Sequence, residues 1–108
     1  MKRTAKKIPD RVALDVIRLA GGWLRRHLPD RFGTAEPTLD PDGEHWHAPV
    51  LLTYPGIVLG QVGELTIDAG TGEVVGHTEI EEMKTQAMGL WKQHHAKVKA
   101  ATLRARNR

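Results

Sequence analysis

The fold is decided by residues 63–75, which read Gly-Glu-Leu-Thr-Ile-Asp-Ala-Gly-Thr-Gly-Glu-Val-Val. Leu65 and Ile67 alternate with polar neighbours, and this is the period of a strand with one solvated face. The glycine-rich residues that follow predict a turn, and a second strand resumes at Val74. The segment therefore predicts a hairpin-like reversal.

The turn between these two strands has a recognisable chemistry. Gly70 and Gly72 can take positive φ, and the Asp68 carboxylate can accept hydrogen bonds from backbone amides ahead of it. Together with Thr71, these residues are predicted to be a structural signature and not a catalytic site.

The composition indicates one soluble domain. The chain has 108 residues, of which 40% are hydrophobic and 27% charged, as in ordinary globular proteins. The absence of cysteine excludes disulfides, thiolate metal ligands and a cysteine nucleophile. Residues 1–7 resemble the basic start of a signal peptide, but Pro9, Asp10 and Arg11 interrupt the apolar core that export requires. A cytoplasmic protein with no membrane contact is expected.

The net charge of +3 is unevenly distributed along the chain. Residues 1–7 carry +4 and residues 92–108 carry +6, which leaves −7 for the residues between them. Basic ends can bind phosphate backbones or an acidic partner, although solvated tails are more common. The candidate contact residues are Lys2, Arg3, Lys6, Lys7, Lys97, Lys99, Arg104, Arg106 and Arg108.

Two helices are predicted to flank the strands. Apolar residues at helical spacing predict the first helix, from about Asp10 to Leu28, where Pro29 ends it. Thr78 and Glu81 match a capping box, so a long C-terminal helix is expected from about residue 79, with fraying beyond about Leu103.

The region between the helices predicts several strands. A short strand is expected at Glu36–Leu39, followed by a turn at residues 40–43 and a strand with alternating polarity at Glu44–Tyr54. Pro49 cannot donate to a ladder, which favours an edge position or a bulge. Residues 57–59 either form an inward-packing loop or begin the next strand.

The predicted fold class is therefore α+β. It comprises an antiparallel sheet of about three to four strands packed against an N-terminal helix, with a long C-terminal helix. The predicted organisation is a basic tail at residues 1–9, a single domain at residues 10–104 and a basic tail at residues 105–108.

A family resemblance supports this domain. The order helix, strand, turn, strand, closed by an Asp-Ala-x-Thr-Gly-x-Val pattern, resembles the PepSY family of small α+β domains over roughly residues 10–77. The matching positions are Asp68, Ala69, Thr71, Gly72 and Val74. The resemblance implies an antiparallel sheet packed on the first helix and a non-catalytic role, often inhibitory or regulatory toward a partner. The long basic terminal helix departs from the pattern, and either occupies the groove where a partner would otherwise bind or is itself the binding element.

Two histidines are the weak candidates for a metal site. His45 and His47 are predicted to share one strand face at a spacing that can chelate zinc or copper, although exposed histidines on a sheet rim are the favoured interpretation. Further ligands would have to converge on them, from Glu44, Glu64, His77, His94 and His95. No metal and no cofactor are expected.

Enzyme activity is not expected. The chain has no serine and no cysteine for nucleophilic catalysis. Asp40 and Asp42 fall in a predicted turn, and the acids near Glu81 fall at a helix start, so both groups have structural explanations. The glycines of residues 70–72 lack the Lys-Ser/Thr of a phosphate-binding loop.

Trp23, Trp46 and Trp91 are predicted to share the core, and Met83 and Met88 to pack. The alternative is an exposed tryptophan at a partner-binding hot spot. The expected function is a non-enzymatic protein-binding or regulatory, inhibitor-like module with an unidentified protein partner, and a homodimer through the sheet edge is plausible. The alternatives are an accessory protein that binds nucleic acid non-specifically through basic termini, and an antitoxin-like neutraliser of a partner enzyme.

Overall fold

The computed structural model describes residues 12–106, with side chains through residue 104. The elements are α1 (Ala13–His27), β1 (Phe32–Thr34), β2 (Thr38–Leu39), β3 (His45–Tyr54), β4 (Ile57–Asp68), β5 (Val74–His77) and α2 (Ile80–Arg106). The α+β prediction is confirmed, with an antiparallel sheet between an N-terminal helix and a long C-terminal helix. Within the described residues the sheet has five strands, since two short strands precede β3 where one was predicted.

The sheet is built around the β3–β4 hairpin. The strand order is β1-β3-β4-β5, and β2 also pairs with β3. The hairpin pairs His45 with Asp68 at one end and Tyr54 with Ile57 at the other, so residues 57–59 belong to β4. Its two-residue turn ends at Gly56, whose φ of 84° suits glycine.

Pro49 lies on an interior strand, so of the two predicted alternatives the edge position is wrong. A register shift of the kind a bulge produces does follow Pro49, between Val50 and Leu51. β1 pairs with residues 50–52 and β2 with residues 46–47, and neither reaches Pro49. The Thr53 N–H and the His45 carbonyl form hydrogen bonds on the side of β3 that faces β1 and β2. Because every second residue of a strand directs its backbone groups to the same side, those of Pro49 also face β1 and β2. Proline is tolerated because it faces the break between β1 and β2, where no donor is needed.

Both helices pack on the same face of the sheet. α1 contacts β1 and β3, while α2 contacts β4 and β3. The predicted alternation of β3 is confirmed, since every second side chain from Trp46 to Leu52 is buried. The core side chains are Val16, Ala20, Trp23, Leu24, Leu28, Trp46, Ala48, Val50, Leu52, Val62, Leu65, Ile67, Ala69, Met83 and Ala87. The opposite face of the sheet carries His45 and His47.

The first helix has the predicted end. α1 stops at His27, and Leu28 is extended ahead of Pro29, as expected for a residue that precedes proline. Its start differs from the prediction: Ala13 is the first helical residue and Val12 before it is extended, so the helix does not run on from Asp10, which itself lies outside the described residues.

The second helix begins differently from the prediction. Ile80 is its first residue, which makes Glu79 the flanking position in place of Thr78. The Thr78 hydroxyl accepts a hydrogen bond from the Glu64 N–H (3.0 Å), and the Thr78 N–H donates to the Glu64 carbonyl (3.0 Å). Thr78 thus ties the helix start to β4 and does not complete the predicted capping box.

The far end of α2 also extends beyond the expected fraying point, to Arg106. Within the described residues, neither helix combines the length and apolar character that a bilayer span requires.

Glycines allow α2 to lie close to the hairpin. A Cβ placed on Gly63 would lie 2.7 Å from both Cγ and Sδ of Met83, a side chain that is fully buried. At Gly60 a Cβ would lie 3.3 Å from Leu90. Side chains at these glycines would therefore push α2 away from β4.

Gly63→Ala should lower the free energy of unfolding by about 1–3 kcal/mol, because the added methyl group overpacks a core that has no room for it. Gly89 on the exposed side of α2 has no atom within 4 Å of a Cβ, so Gly89→Ala is the matched control. The control should be stabilised by about 0.5–1 kcal/mol through its helix propensity. Denaturant titrations followed by circular dichroism measure both, and a Gly63→Ala protein as stable as the wild type would contradict the close packing.

Candidate functional site

The signature turn is held by its own hydrogen bonds. Asp68 Oδ1 accepts hydrogen bonds from the N–H groups of Gly70 and Thr71, both at 2.8 Å. The Gly72 N–H donates to the Asp68 carbonyl (2.8 Å), and Gly72 takes a φ of 79°. Gly70 serves as an amide donor and does not supply positive φ. These contacts account for the turn without a ligand.

The same bonds set the ionisation of Asp68. The Thr71 N–H, followed by the Gly70 N–H, stabilises the carboxylate and lowers the pKa of Asp68 below its ordinary value of 3.8. The carboxylate is therefore a structural anion that closes the β4–β5 connection.

Asp68→Asn should lower the free energy of unfolding at neutral pH, because a neutral amide accepts these bonds more weakly. The folded-state pKa lies below the unfolded one, so this stabilisation is present above about pH 4 and is lost as the pH falls through the folded pKa. The gap between variant and wild type should accordingly close in acid. Denaturant titrations at neutral and acidic pH measure it, and Glu73→Gln, which removes one charge from the same turn, is the control. A gap that persists unchanged in acid would contradict this role.

The two candidate metal-binding histidines lie together on the open face of the sheet. His47 Nε2–H donates to Asp40 Oδ1 at 2.7 Å, and His47 Nδ1 lies 3.6 Å from Glu64 Oε2. His45 Nδ1 lies 3.9 Å from Asp40 Oδ2. Glu64 therefore lies beside the two histidines, as the sequence allowed. Asp40, which was not among the predicted ligands, also contacts them because the turn before β3 folds back.

Two of the other proposed ligands, His77 and His95, lie beside tryptophan rings elsewhere in the fold. His77 packs 4.8 Å from the ring of Trp23, and His95 packs 5.7 Å from that of Trp91. Across residues 12–106, no group of three or more histidine, aspartate or glutamate side chains is arranged to hold a metal ion. The cluster at His47 consists of one hydrogen bond to Asp40 and two longer histidine–carboxylate contacts.

The basic candidates do not form one patch. Lys97, Lys99 and Arg104 are exposed on α2, but Lys97 and Lys99 are two positions apart, so they point about 200° from each other around the helix. The Arg106 side chain is outside the described part. Also outside it are Lys2, Arg3, Lys6, Lys7 and Arg108.

Trp91 is the exception among the three tryptophans. Trp23 and Trp46 are 8% exposed and belong to the core, as predicted. Trp91 is only half-buried, and its ring lies 5.6 Å from that of Tyr54 at the surface. The prediction of a shared core is therefore wrong for Trp91, because it lies on a flank of the α2 stripe that no other element among residues 12–106 covers.

The Tyr54–Trp91 pair lies in the middle of a surface groove beside α2. Two open depressions of about 350 and 460 Å³ share this pair, and together we call them the α2 groove. Carbon-rich side chains dominate its lining: Phe32, Leu52, Tyr54, Ala87, Met88, Trp91, Val98 and Leu103. Met88 is 55% exposed and Leu103 57% exposed, so the expectation that Met88 packs is also wrong.

The rim of the α2 groove is basic. Lys84 lines the first depression and Lys99 the second, while Lys92 lies beside Met88 in a third. Asp30 is the acid that joins the lining. No acidic residue follows Glu82 in the sequence, so most of α2 faces solvent with positive charge.

Arg31 closes one end of the α2 groove in a strained conformation. Its φ of 88° is unusual for a residue with a side chain, and the backbone is held by the Thr53 N–H, which donates to the Arg31 carbonyl at 2.7 Å. The guanidinium carbon lies 5.1 Å from the centre of the Tyr54 ring. Residues in such unusual backbone conformations cluster at functional sites, which favours the α2 groove as a candidate functional site.

Comparisons of the chain with protein-family models, curated proteins and solved structures give no significant match. The PepSY resemblance therefore stays a prediction that rests on the signature residues.

Proposed function

We propose that this protein is a non-enzymatic module that binds and regulates another protein, and that the α2 groove is its binding surface. The observation that carries the proposal is a row of apolar side chains beside α2 that are not fully covered. Met88 and Leu103 are more than half exposed, and Phe32, Tyr54 and Trp91 are partly exposed. Contiguous exposed apolar surface with a polar rim is typical of protein-interaction sites.

The composition of the α2 groove suits tight binding. Tryptophan, tyrosine and arginine dominate interface hot spots, and in the groove the Tyr54 ring contacts both Trp91 and Arg31. Tyr54 packs against the core and contacts the other two side chains, so less side-chain order has to be gained on binding.

The absence of serine and cysteine from the sequence supports a non-catalytic role. The histidine–carboxylate network at His47 lies on the sheet face opposite the helices, away from the α2 groove. A regulatory, inhibitor-like role is in keeping with the PepSY resemblance, and an antitoxin-like neutraliser would be one form of it.

A second candidate, non-specific nucleic-acid binding, is favoured by one feature. From residue 83 to residue 106, α2 carries lysine and arginine but no acid. Nucleic-acid binding through these basic residues does not need the apolar lining of the groove. A substitution in that lining therefore distinguishes nucleic-acid binding from protein binding.

Met88→Glu should abolish most protein capture, at least about tenfold, because it places a charge in the middle of an apolar contact surface. Glutamate is a good helix former and Met88 is 55% exposed, so the fold should persist. Affinity capture from native extract, with and without nuclease, gives the measurement. Val75→Glu on β5, at a residue 53% exposed, is the matched control.

The protein-binding proposal predicts one set of proteins retained by the wild type and the control but lost from Met88→Glu. Retention that nuclease abolishes would instead support nucleic-acid binding. Equal retention by all three proteins, or none by any, would contradict binding through the α2 groove.

A further inference from the structure

We infer that the α2 groove accepts an acidic amphipathic helix of a partner protein. This inference rests on the proposed function and adds the chemistry of the partner. It is drawn from the length of the groove, the nature of its lining and the charge of its rim.

The length of the α2 groove suits a helix lying beside α2. Its lining on α2 extends from Lys84 to Leu103, which is about 28 Å at 1.5 Å per residue. α1 and α2 already form a helical layer on this face of the sheet. A third helix would continue that layer over the uncovered ends of β1 and β3. Most of the lining residues belong to α2, so a helix packed on α2 suits this surface better than an added strand.

The positive charge on the rim favours a partner with acidic side chains. Arg31, Lys84 and Lys99 line the two depressions, and the acids near them are Asp30 and Glu81, whose Oε2 is 3.7 Å from the Lys84 ammonium. A helix with an apolar stripe flanked by aspartate or glutamate complements this surface.

A second copy of this chain fits less well. Apposing two α2 helices along their grooves would bring Lys84 and Lys99 of each copy near the same residues of the other. α1 has exposed Arg18, Arg25 and Arg26 against the single acid Asp15, so it is no better a partner within the described residues.

Single-stranded nucleic acid also fits less well, because it needs open ring faces for base stacking. The Tyr54 ring has the Arg31 guanidinium 5.1 Å from its centre and Trp91 at 5.6 Å, while Trp91 also neighbours His95 at 5.7 Å. The exposed carbon atoms of Met88 and Leu103 match apolar side chains and not bases.

The test uses the full chain and four fluorescent probes in binding titrations by anisotropy. The first probe is a helical peptide of about 20 residues, long enough for the groove, with a leucine stripe flanked by glutamate. The second keeps the stripe but has lysine flanks, and the third keeps the glutamates but replaces leucine by glutamine. The fourth is an oligothymidylate with the same number of negative charges. Only the first should bind well, at least about tenfold more tightly than each other probe, and it should weaken with added salt.

Two variants locate the charge effect on α2. Lys99→Glu should weaken binding of the first probe about three- to tenfold, since an attraction on the rim becomes a repulsion. Lys97→Glu is the matched control: it makes the same charge change on the opposite side of the same helix, and affinity should change less than about twofold.

Each other outcome overturns a defined part of the account. Equal binding of the first two probes, lost in Met88→Glu, would overturn the acidic partner and leave protein binding through the α2 groove intact. Binding of oligothymidylate alone would overturn both. No binding of any probe would overturn the acidic helix, while extract capture would still decide the proposed function. A dimer in sedimentation that Met88→Glu dissociates would identify a second copy as the occupant.

Discussion

The close approach of α2 to the β3–β4 hairpin is the constraint on which the structure depends. Hairpin glycines face residues of α2 in antiparallel order, so the helix can lie along the part of the hairpin between Gly63 and the turn at Gly56. The facing pairs are Gly63 with Met83, Gly60 with Leu90 and Gly56 with Ala101. The bonds between Thr78 and Glu64 then fix where the helix starts. Together these contacts set both the position and the direction of α2.

The α2 groove follows from that placement. α2 lies mainly over β4, and α1 lies on the same face over β1 and β3, so among the described residues the ends of β1 and β3 near the hairpin turn stay partly open. Tyr54 projects from the core face of β3 into this opening and meets Trp91. The surface is therefore apolar because it is an uncovered part of the core face, and basic because α2 carries no acid beyond Glu82. The His47 network on the other face is separate from it.

The periodicity of apolar residues in the sequence predicted most of the fold, because strand alternation and helical spacing are set by neighbouring residues. The β3 alternation, the reversal after Asp68 and the end of α1 at Pro29 all rest on neighbouring residues. The errors involve contacts between distant segments. Pro49 is tolerated by a break in the pairing of other strands, and Thr78 is engaged by β4. The spacing of Trp91 placed it beside an apolar stripe but did not reveal which flank of that stripe stays uncovered.

The central claim is that one flank of α2 is buried on the hairpin while the neighbouring flank is open. Methionine methyl NMR with a soluble paramagnetic probe tests it directly, because Met83 is fully buried and Met88 is 55% exposed on the same helix. The account predicts strong broadening of the Met88 methyl signal and protection of the Met83 signal. Equal protection of both methyl groups would contradict it, since something else would then cover the α2 groove.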